Sequence, residues 1–492
     1  MSPADGSRSA IDDSRTASLP TDLLLGTSTA AYQVEGSAKA GGRGVSIWDT
    51  FSRCAGNTLN GDTGDVACDH LVRMQDDLDL IADLGAGAYR FSVSWPRIQP
   101  EGKGPARPEG LDIYRRLVDG LRARGIVPVL TLYHWDLPQP LEDAGGWPAR
   151  DTASRFAEYA GIVAEALGEQ VGMWTTLNEP WCSAWLGYAS GVHAPGRHDL
   201  GLAAAATHHL LLAHGAGAQA IRSVLPAAKV GLSLNPMPFR PATSHEADLA
   251  AVRRTDGNHN RLFLDPVLAG RYPADMLEHY EGHLPGFSVV MDGDMDVISG
   301  PLDFLGLNYY APGTVADVSR LADARAAGYC VPAGESDLIS ADLRVVNVDR
   351  PDYDRTEMGW EIEPDGLTEL LIRVAADYPA VPIFITENGA ACADYVSPDG
   401  RVRDADRVQY LDGHLRALLR ARAAGVDVRG YFVWGLLDNF EWAFGYSKRF
   451  GLVWVDYPSG ARIRKDSFLW YQQALAGRQL VPVPQALAAL RA

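Results

Sequence analysis

Eight short apolar runs punctuate the chain, at residues 23–28, 89–94, 127–132, 173–178, 230–234, 304–308, 383–386 and 429–434. Most are closed by Gly, Pro, Asn or a charged residue. Runs that are apolar on both faces, rather than alternating, suit strands of a parallel sheet covered by helices. Between them the apolar spacing stretches to three and four. Leu71, Met74, Leu78 and Ile81 mark one face of a helix over 69–84, with Gly85 as its stop. Asp151 is the expected N-cap of a helix over 151–167 that stops at Gly168, and a third helix spans 404–424 and stops at Gly425. Strand and helix alternating eight times predict an α/β fold, a single (β/α)8 TIM barrel. The barrel is expected over 21–480, between a disordered polar tail at 1–20 and a C-terminal tail at 481–492. The segment 311–364 has few large apolar residues and is expected to be loop decoration at the C-terminal face of the strands.

Composition narrows the chemistry. The chain has 492 residues, 47% of them hydrophobic, which is enough for a large core. A formal charge of -18 repels nucleic acid and anionic membranes, so neither is an expected partner. The five cysteines (Cys54, Cys68, Cys182, Cys330 and Cys392) are scattered and include no CxxC pair. They are expected to be free thiols, not a disulfide framework or a zinc site. Cys182 has no evident base partner and is not expected to be a nucleophile. The first twenty residues lack the apolar segment of a secretory signal, and no run approaches the ~18 residues of a membrane span. A cytoplasmic location is the expectation. In "THHLLLAH", His214 stands six residues from His208 and five from His209, unlike the i, i+4 pair of a helical metal site. These histidines are expected on a polar helix face, and no metal or cofactor is expected.

Polar residues gather where the predicted strands end, which in such a barrel is where active sites form. Arg90 lies in the second strand. The third runs into His134 and Trp135, and the fourth ends at Asn178 and Glu179. The sixth leads through Asn308 to Tyr310, the seventh ends at Glu387, and the eighth ends at Trp434 and is followed by Glu441, Trp442 and Phe450. Two carboxylates with aromatic faces, amides and an imidazole suit a sugar. One carboxyl can protonate a glycosidic oxygen while the other attacks or activates water. Strands four and seven are not neighbours in an eight-stranded barrel, so their ends can face each other across the central pit.

The motifs "GTSTAAYQVEG", "YRFSVSWPRI", "YHWDLPQPL", "TLNEP", "GLNYY", "ITENGA" and "DNFEWAFGYSKRFGL" follow one another between about residues 23 and 473. In this set and order the chain resembles the β-glucosidases of glycoside hydrolase family 1. The resemblance implies a retaining double displacement without metal or organic cofactor. It implies a small β-glucoside or oligosaccharide as substrate, with possible side activity on galactosides or fucosides or in transglycosylation. It makes Glu179 the general acid/base and Glu387 the nucleophile, held and tuned by Arg90 and Tyr310. It implies that Asn178 contacts the sugar 2-hydroxyl, and that Gln33, His134, Trp135, Glu441 and Trp442 bind the nonreducing sugar. Trp434 is then the platform beneath that sugar, Phe450 lines its pocket, and Trp181 faces the aglycone. Asn308 joins the substrate-binding candidates by its place at the end of strand six. Glu179 is not the Gln of the plant thioglucosidase branch, and Glu441, Trp442 and Phe450 depart from the phosphoglucosidase pattern. One departure from the family is "LLLG", with Leu23 and Leu25 where aromatics are usual. A noncatalytic sugar-binding barrel is the competing class, and loss of either Glu would mark it.

Overall fold

The apolar runs become eight parallel strands: β1 (Leu24–Ser28), β2 (Ala88–Ser92), β3 (Val127–Tyr133), β4 (Met173–Asn178), β5 (Val230–Leu234), β6 (Phe304–Asn308), β7 (Ile383–Asn388) and β8 (Val428–Trp434). They pair in sequence order, and β8 closes on β1, with Gly430 opposite Leu24 and Trp434 opposite Ser28. The computed structural model describes residues 15–331 and 337–491. A helix follows each strand: α1 (Met74–Leu84), α2 (Pro108–Ala123), α3 (Arg150–Leu167), α4 (Leu200–Val224), α5 (Leu262–Ala269), α6 (Pro364–Asp377), α7 (Ala405–Ala423) and α8 (Asp466–Gly477). This is the expected (β/α)8 barrel.

The strands are buried on both faces because two cores meet on them. Outside, the helices pack their apolar stripes in one continuous layer that includes Leu78, Leu121, Phe156 and Leu371. Inside, Ala88, Val129, Met173, Phe304, Phe384 and Phe432 form a separate apolar plug contributed by six strands and no helix. The plug fills the barrel as side-chain layers do in this architecture. Two residues further along β2 and β8 the same face carries Arg90 and Trp434, so the floor of the site begins where the plug ends.

Regular pairing breaks where the two expected carboxylates stand. The β4–β5 ladder shifts between Thr175 and Asn178. The β7–β6 ladder shifts between Ile385 and Glu387, and the β7–β8 ladder between Ile385 and Asn388. Such irregularities re-aim side chains and end pairing. Glycine also has a steric reason in "ENGA", since a Cβ on Gly389 would collide with the Trp434 carbonyl oxygen.

Several expectations about element boundaries need correction. α1 begins at Met74, not 69, because Asp69 takes a left-handed conformation (φ 55°) that no helix accepts. Gly85 does stop it, at φ 75°. Asp151 lies within the first turn of α3, whose N-cap position is Ala149 without a side-chain cap. The segment expected as a C-terminal tail contains a helix, Val483–Arg491, with Ala486 buried. At the other end, the polar tail expectation falls largely outside the described residues. Its last part is ordered: Ala17–Ser18 pairs antiparallel with Gln479–Leu480, and Leu19 is buried.

Within 311–364, of which 332–336 lie outside the described residues, the chain is more than loop. Gly313–Asp317 pairs with Val345–Asn347 on one side and Phe239–Pro241 on the other, in a small three-stranded sheet. Arg350 and Arg355 then clamp Glu361, with Arg350 also on Glu363. That clamp fixes the stretch carrying Met358 and Trp360, which pack beside Tyr310, Trp434 and Phe450.

Candidate active site

One hydrogen-bonded network joins strand ends that are far apart in sequence. Arg90, fully buried, donates from Nη1 to Glu387 Oε1 at 2.6 Å and from Nη2 to Asn178 Oδ1 at 2.6 Å. Tyr310 donates from its hydroxyl to Glu387 Oε2 at 2.7 Å. Glu387 therefore has a donor on each oxygen, one of them cationic. Asn308 Nδ2 donates to Glu179 Oε1 at 2.6 Å and to Asn178 Oδ1 at 3.1 Å, while its own Oδ1 accepts from Thr386 Oγ1 at 2.6 Å. Those contacts settle which way the Asn308 and Asn178 amides face. Asn178 Nδ2 is then left as a donor, and His134 Nε2 accepts from it at 3.1 Å. The His134 proton must sit on Nδ1. Burial, with Arg90 nearby, holds the His134 pKa well below its ordinary value, so the ring is neutral.

The two carboxyls differ in environment. Burial pushes the Glu179 pKa up to about 7, with the charge of Glu387 adding to the effect. Burial raises Glu387 too, but Arg90 and the Tyr310 hydroxyl oppose it. Two acids that share a site cannot ionise with equal ease, so the one facing the guanidinium loses its proton first. Glu441 belongs to the same pit: burial raises its pKa to about 8, and the charges of Glu387 and Glu179 contribute. Glu179 itself is held with φ 44°, and its N–H donates to Ser233 O at 2.8 Å. A left-handed backbone at a non-glycine residue of this kind concentrates at functional sites.

Around the acids stand aromatic walls. Trp434 and Phe450 pack with Ala30 and Ala391. The His134 ring stacks on Trp434, with centroids 5.7 Å apart and planes at 20°. Trp442 lies 4.6 Å from Trp135 and 6.2 Å from His134 between ring centroids. Gln33 donates from Nε2 to the Phe440 carbonyl at 2.9 Å and to Asn439 Oδ1 at 3.1 Å, and lies 3.4 Å from Glu441 Oε2. Among the described residues, Gln33 Oε1 and His134 Nδ1 are buried without a hydrogen-bond partner.

The sequence candidates are thus brought together, with qualifications. Trp135 is in place, but its indole N–H is committed to the Asn178 carbonyl at 2.9 Å, so what it presents is a ring face. Trp181 stands off the network. It is only partly buried, donates to Asn258 Oδ1 at 3.0 Å and lies 4.1 Å from the His259 ring. Asn388, for which the sequence suggested no task, is saturated: Nδ2 donates to the Tyr309 carbonyl and to Tyr410, and Oδ1 accepts from Tyr431.

One sequence reading keeps its conclusion but not its ground, and one fails. Cys182 does meet a carboxyl, with Sγ 3.2 Å from Glu179 Oε2. Burial and the adjacent Glu179 push the thiol pKa well up, so it stays protonated. His208, His209 and His214 are all buried, not on a polar face, because α4 is enclosed over most of its surface. His208 bridges Tyr272 and Asp294, His209 meets the Trp147 carbonyl, and His214 meets Thr176. Ser233, Thr386, Met358 and Trp360 were missed. The first two carried a usable signal as polar residues inside apolar strand runs.

A closed parallel barrel with a buried carboxyl pair and stacked aromatics at its strand ends defines a barrel glycosidase. A family model for Glycosyl hydrolase family 1 matches residues 15–479, and the chain belongs to that family. It is 50% identical to a bifunctional beta-D-glucosidase/beta-D-fucosidase of Bifidobacterium breve, over 93% of this chain and 98% of the relative. It is 46% identical to beta-glucosidase A of Thermotoga maritima, over 94% and 98%. Among solved structures, a psychrophilic beta-glucosidase from Micrococcus antarcticus superposes with a TM-score of 0.88 at 45% identity, over 94% of this chain and 98% of that one. The Thermotoga maritima enzyme in complex with deoxynojirimycin superposes at 0.86 and 45% identity, over 94% and 99%.

Proposed function

We propose that this protein is a retaining β-glycosidase that removes terminal nonreducing β-D-glucosyl residues from small glucosides and oligosaccharides. The observation that carries the reading is the unequal pair: Glu387 clamped by Arg90 and Tyr310, and Glu179 protonated to higher pH beside it. Glu387, ionised, attacks the anomeric carbon. Glu179 gives its proton to the departing oxygen, so the aglycone leaves neutral and a glycosyl ester forms on Glu387. Esterification removes the charge of Glu387 and lowers the cost of ionising Glu179. The same carboxylate then takes a proton from the water that cleaves the ester. Retention requires the two carboxyls to stand about 5–5.5 Å apart.

Sugar recognition follows from the free polar atoms and the ring faces. Gln33 Oε1 accepts from one hydroxyl and His134 Nδ1–H donates to another. Asn178 has both amide atoms in the network that ties Arg90 to His134, so it meets the 2-hydroxyl from a fixed position. Trp434, with Phe450 beside it, supplies the apolar platform. Trp181 stands toward the aglycone. Complexes of relatives with glucose-like inhibitors support a small glycoside as the ligand, and the bifunctional relative supports fucosides as additional substrates. The formal charge of -18 disfavours nucleic acid as a partner. Among the described residues no helix is long and apolar enough to cross a membrane.

Purified protein should hydrolyse an aryl β-D-glucoside, and NMR of the first turnover should show the β-anomer of glucose. No turnover would remove the activity, and an α-anomer formed first would remove retention.

A further inference from the structure

Glu179 carries two oxygens that are held unequally. Oε1 receives a short N–H bond from Asn308, whose amide is locked by Thr386 and Asn178. Among the described residues, Oε2 receives only the Cys182 thiol, at 3.2 Å. The sulfur also accepts from the Asn235 amide, whose Nδ2 donates to Sγ at 3.5 Å. Sγ thus serves as acceptor to Asn235 and spends its single hydrogen on Oε2. Cys182 is brought there by the winding of the chain. Glu179 turns left-handed, its carbonyl accepts from the Cys182 N–H at 2.9 Å, and Cys182–Ala189 continues as a π-helix. Inserted π-turns of this kind are frequent at functional sites.

We propose that Cys182, anchored by Asn235, is a positioning residue that holds Oε2 of Glu179 as the oxygen carrying the transferable proton. This rests on the reading of Glu179 as acid/base. The physical reason is the difference in donor strength. A fixed amide N–H occupies Oε1 in both protonation states, whereas a thiol is a weak donor that yields to a proton on Oε2 and returns when the proton leaves. The thiol thus stabilises the carboxylate without blocking the acid. Its hydrogen bond lowers the Glu179 pKa against the burial that raises it. Other groups facing Glu179 are Glu387 and Arg90, with Tyr310 and Glu441 also acting on the same carboxyls.

The test compares Cys182→Ala and Cys182→Ser in the full chain. Their pH profiles of kcat/KM are measured on aryl β-glucosides with a poor leaving group and with 2,4-dinitrophenolate. Cys182→Ala removes a donor from the carboxylate, so the alkaline limb moves up by roughly half a pH unit. Its kcat/KM on the poor leaving group falls several-fold, and by less on the dinitrophenyl glucoside. Cys182→Ser, which keeps a donor, returns the limb to the wild-type position or below. A limb that stays put in Cys182→Ala, whatever happens to Tm or overall rate, reduces Cys182 to packing and overturns the proposal. Glu179→Gln is the control for the underlying reading. If that variant treats both leaving groups alike, Glu179 is not the acid and the proposal falls with it.

Discussion

The ends of β4 and β7 carry the same side chain in opposite surroundings. Both lie beside a ladder irregularity and both carboxyls are buried. At β7 the carboxyl meets a guanidinium and a phenol, one on each oxygen. At β4 it meets a neutral amide and a thiol. Burial works against ionisation at both ends, and Arg90 opposes it at both, but it hydrogen-bonds Glu387 directly and is the leading opposing charge there, whereas at Glu179 it ranks behind the Asn308 and Cys182 hydrogen bonds. The roles of attacking anion and proton donor are therefore assigned by what the neighbouring strands supply, not by the acids themselves.

The largest effects should come from removing the acids in turn. Glu387→Gly should lose roughly four orders of magnitude or more in kcat/KM on every substrate. Glu179→Gly should lose about 10²–10⁴-fold on poor leaving groups and far less, in the bond-breaking step, on a dinitrophenyl glucoside. Stopped-flow bursts on both substrates measure this, and equal losses for Glu179→Gly would erase the distinction between the two ends.

Arg90 is where the difference originates. Arg90→Met strands a buried carboxylate and should cost about 3–5 kcal/mol of stability in chemical denaturation. It should also raise the Glu387 pKa, so the acid limb of kcat/KM moves to higher pH. Tyr310→Phe removes one hydrogen bond to the same carboxylate. A loss of about tenfold in kcat/KM, with a smaller upward move of the acid limb, is expected. A Tyr310→Phe shift larger than that of Arg90→Met would invert the assignment of the dominant partner.

The smallest effect concerns stability and pH. The Glu441 pKa stands near 8 in the fold against an ordinary 4.5, and that of Glu179 near 7. The folded chain thus keeps protons that the unfolded chain releases. The stability these groups contribute is complete below about pH 4.5 and is lost as pH rises through the window to 7–8. Their share should lower Tm by a few degrees between pH 5 and 8, and Glu441→Gln should flatten that slope in a calorimetric series.

Much of this molecule was readable from its residues. β4, β5 and β6 fall where the apolar runs stand, because a strand buried on both faces has no polar alternation to blur its limits. Glu179 and Glu387 stood out because each pairs with an Asn at the end of such a run. Helix ends were less legible. The apolar spacing suits a helix from Asp69 and Asp151 suits a cap by type, yet the chain enters α1 and α3 elsewhere, since entry angle depends on the loop that precedes it. The histidines of α4 were misread because a helix sequence shows what it could bury, and only its neighbours decide what it does bury.

Tertiary structure alone decided the chemistry within the pair. Arg90, Asn178, Asn308 and Tyr310 come from three strands and a following loop, and their hydrogen bonds fix the amide orientations, the His134 tautomer and the order in which the acids ionise. It also decided the excursion at 311–364, which has too few apolar residues to announce an element but delivers Trp360 to the wall of the site through an Arg–Glu clamp. Apolar period is a local property and survives in the sequence. The electrostatic environment of a buried carboxyl is a sum over whatever the fold places within a few ångströms, and no single segment of chain contains it.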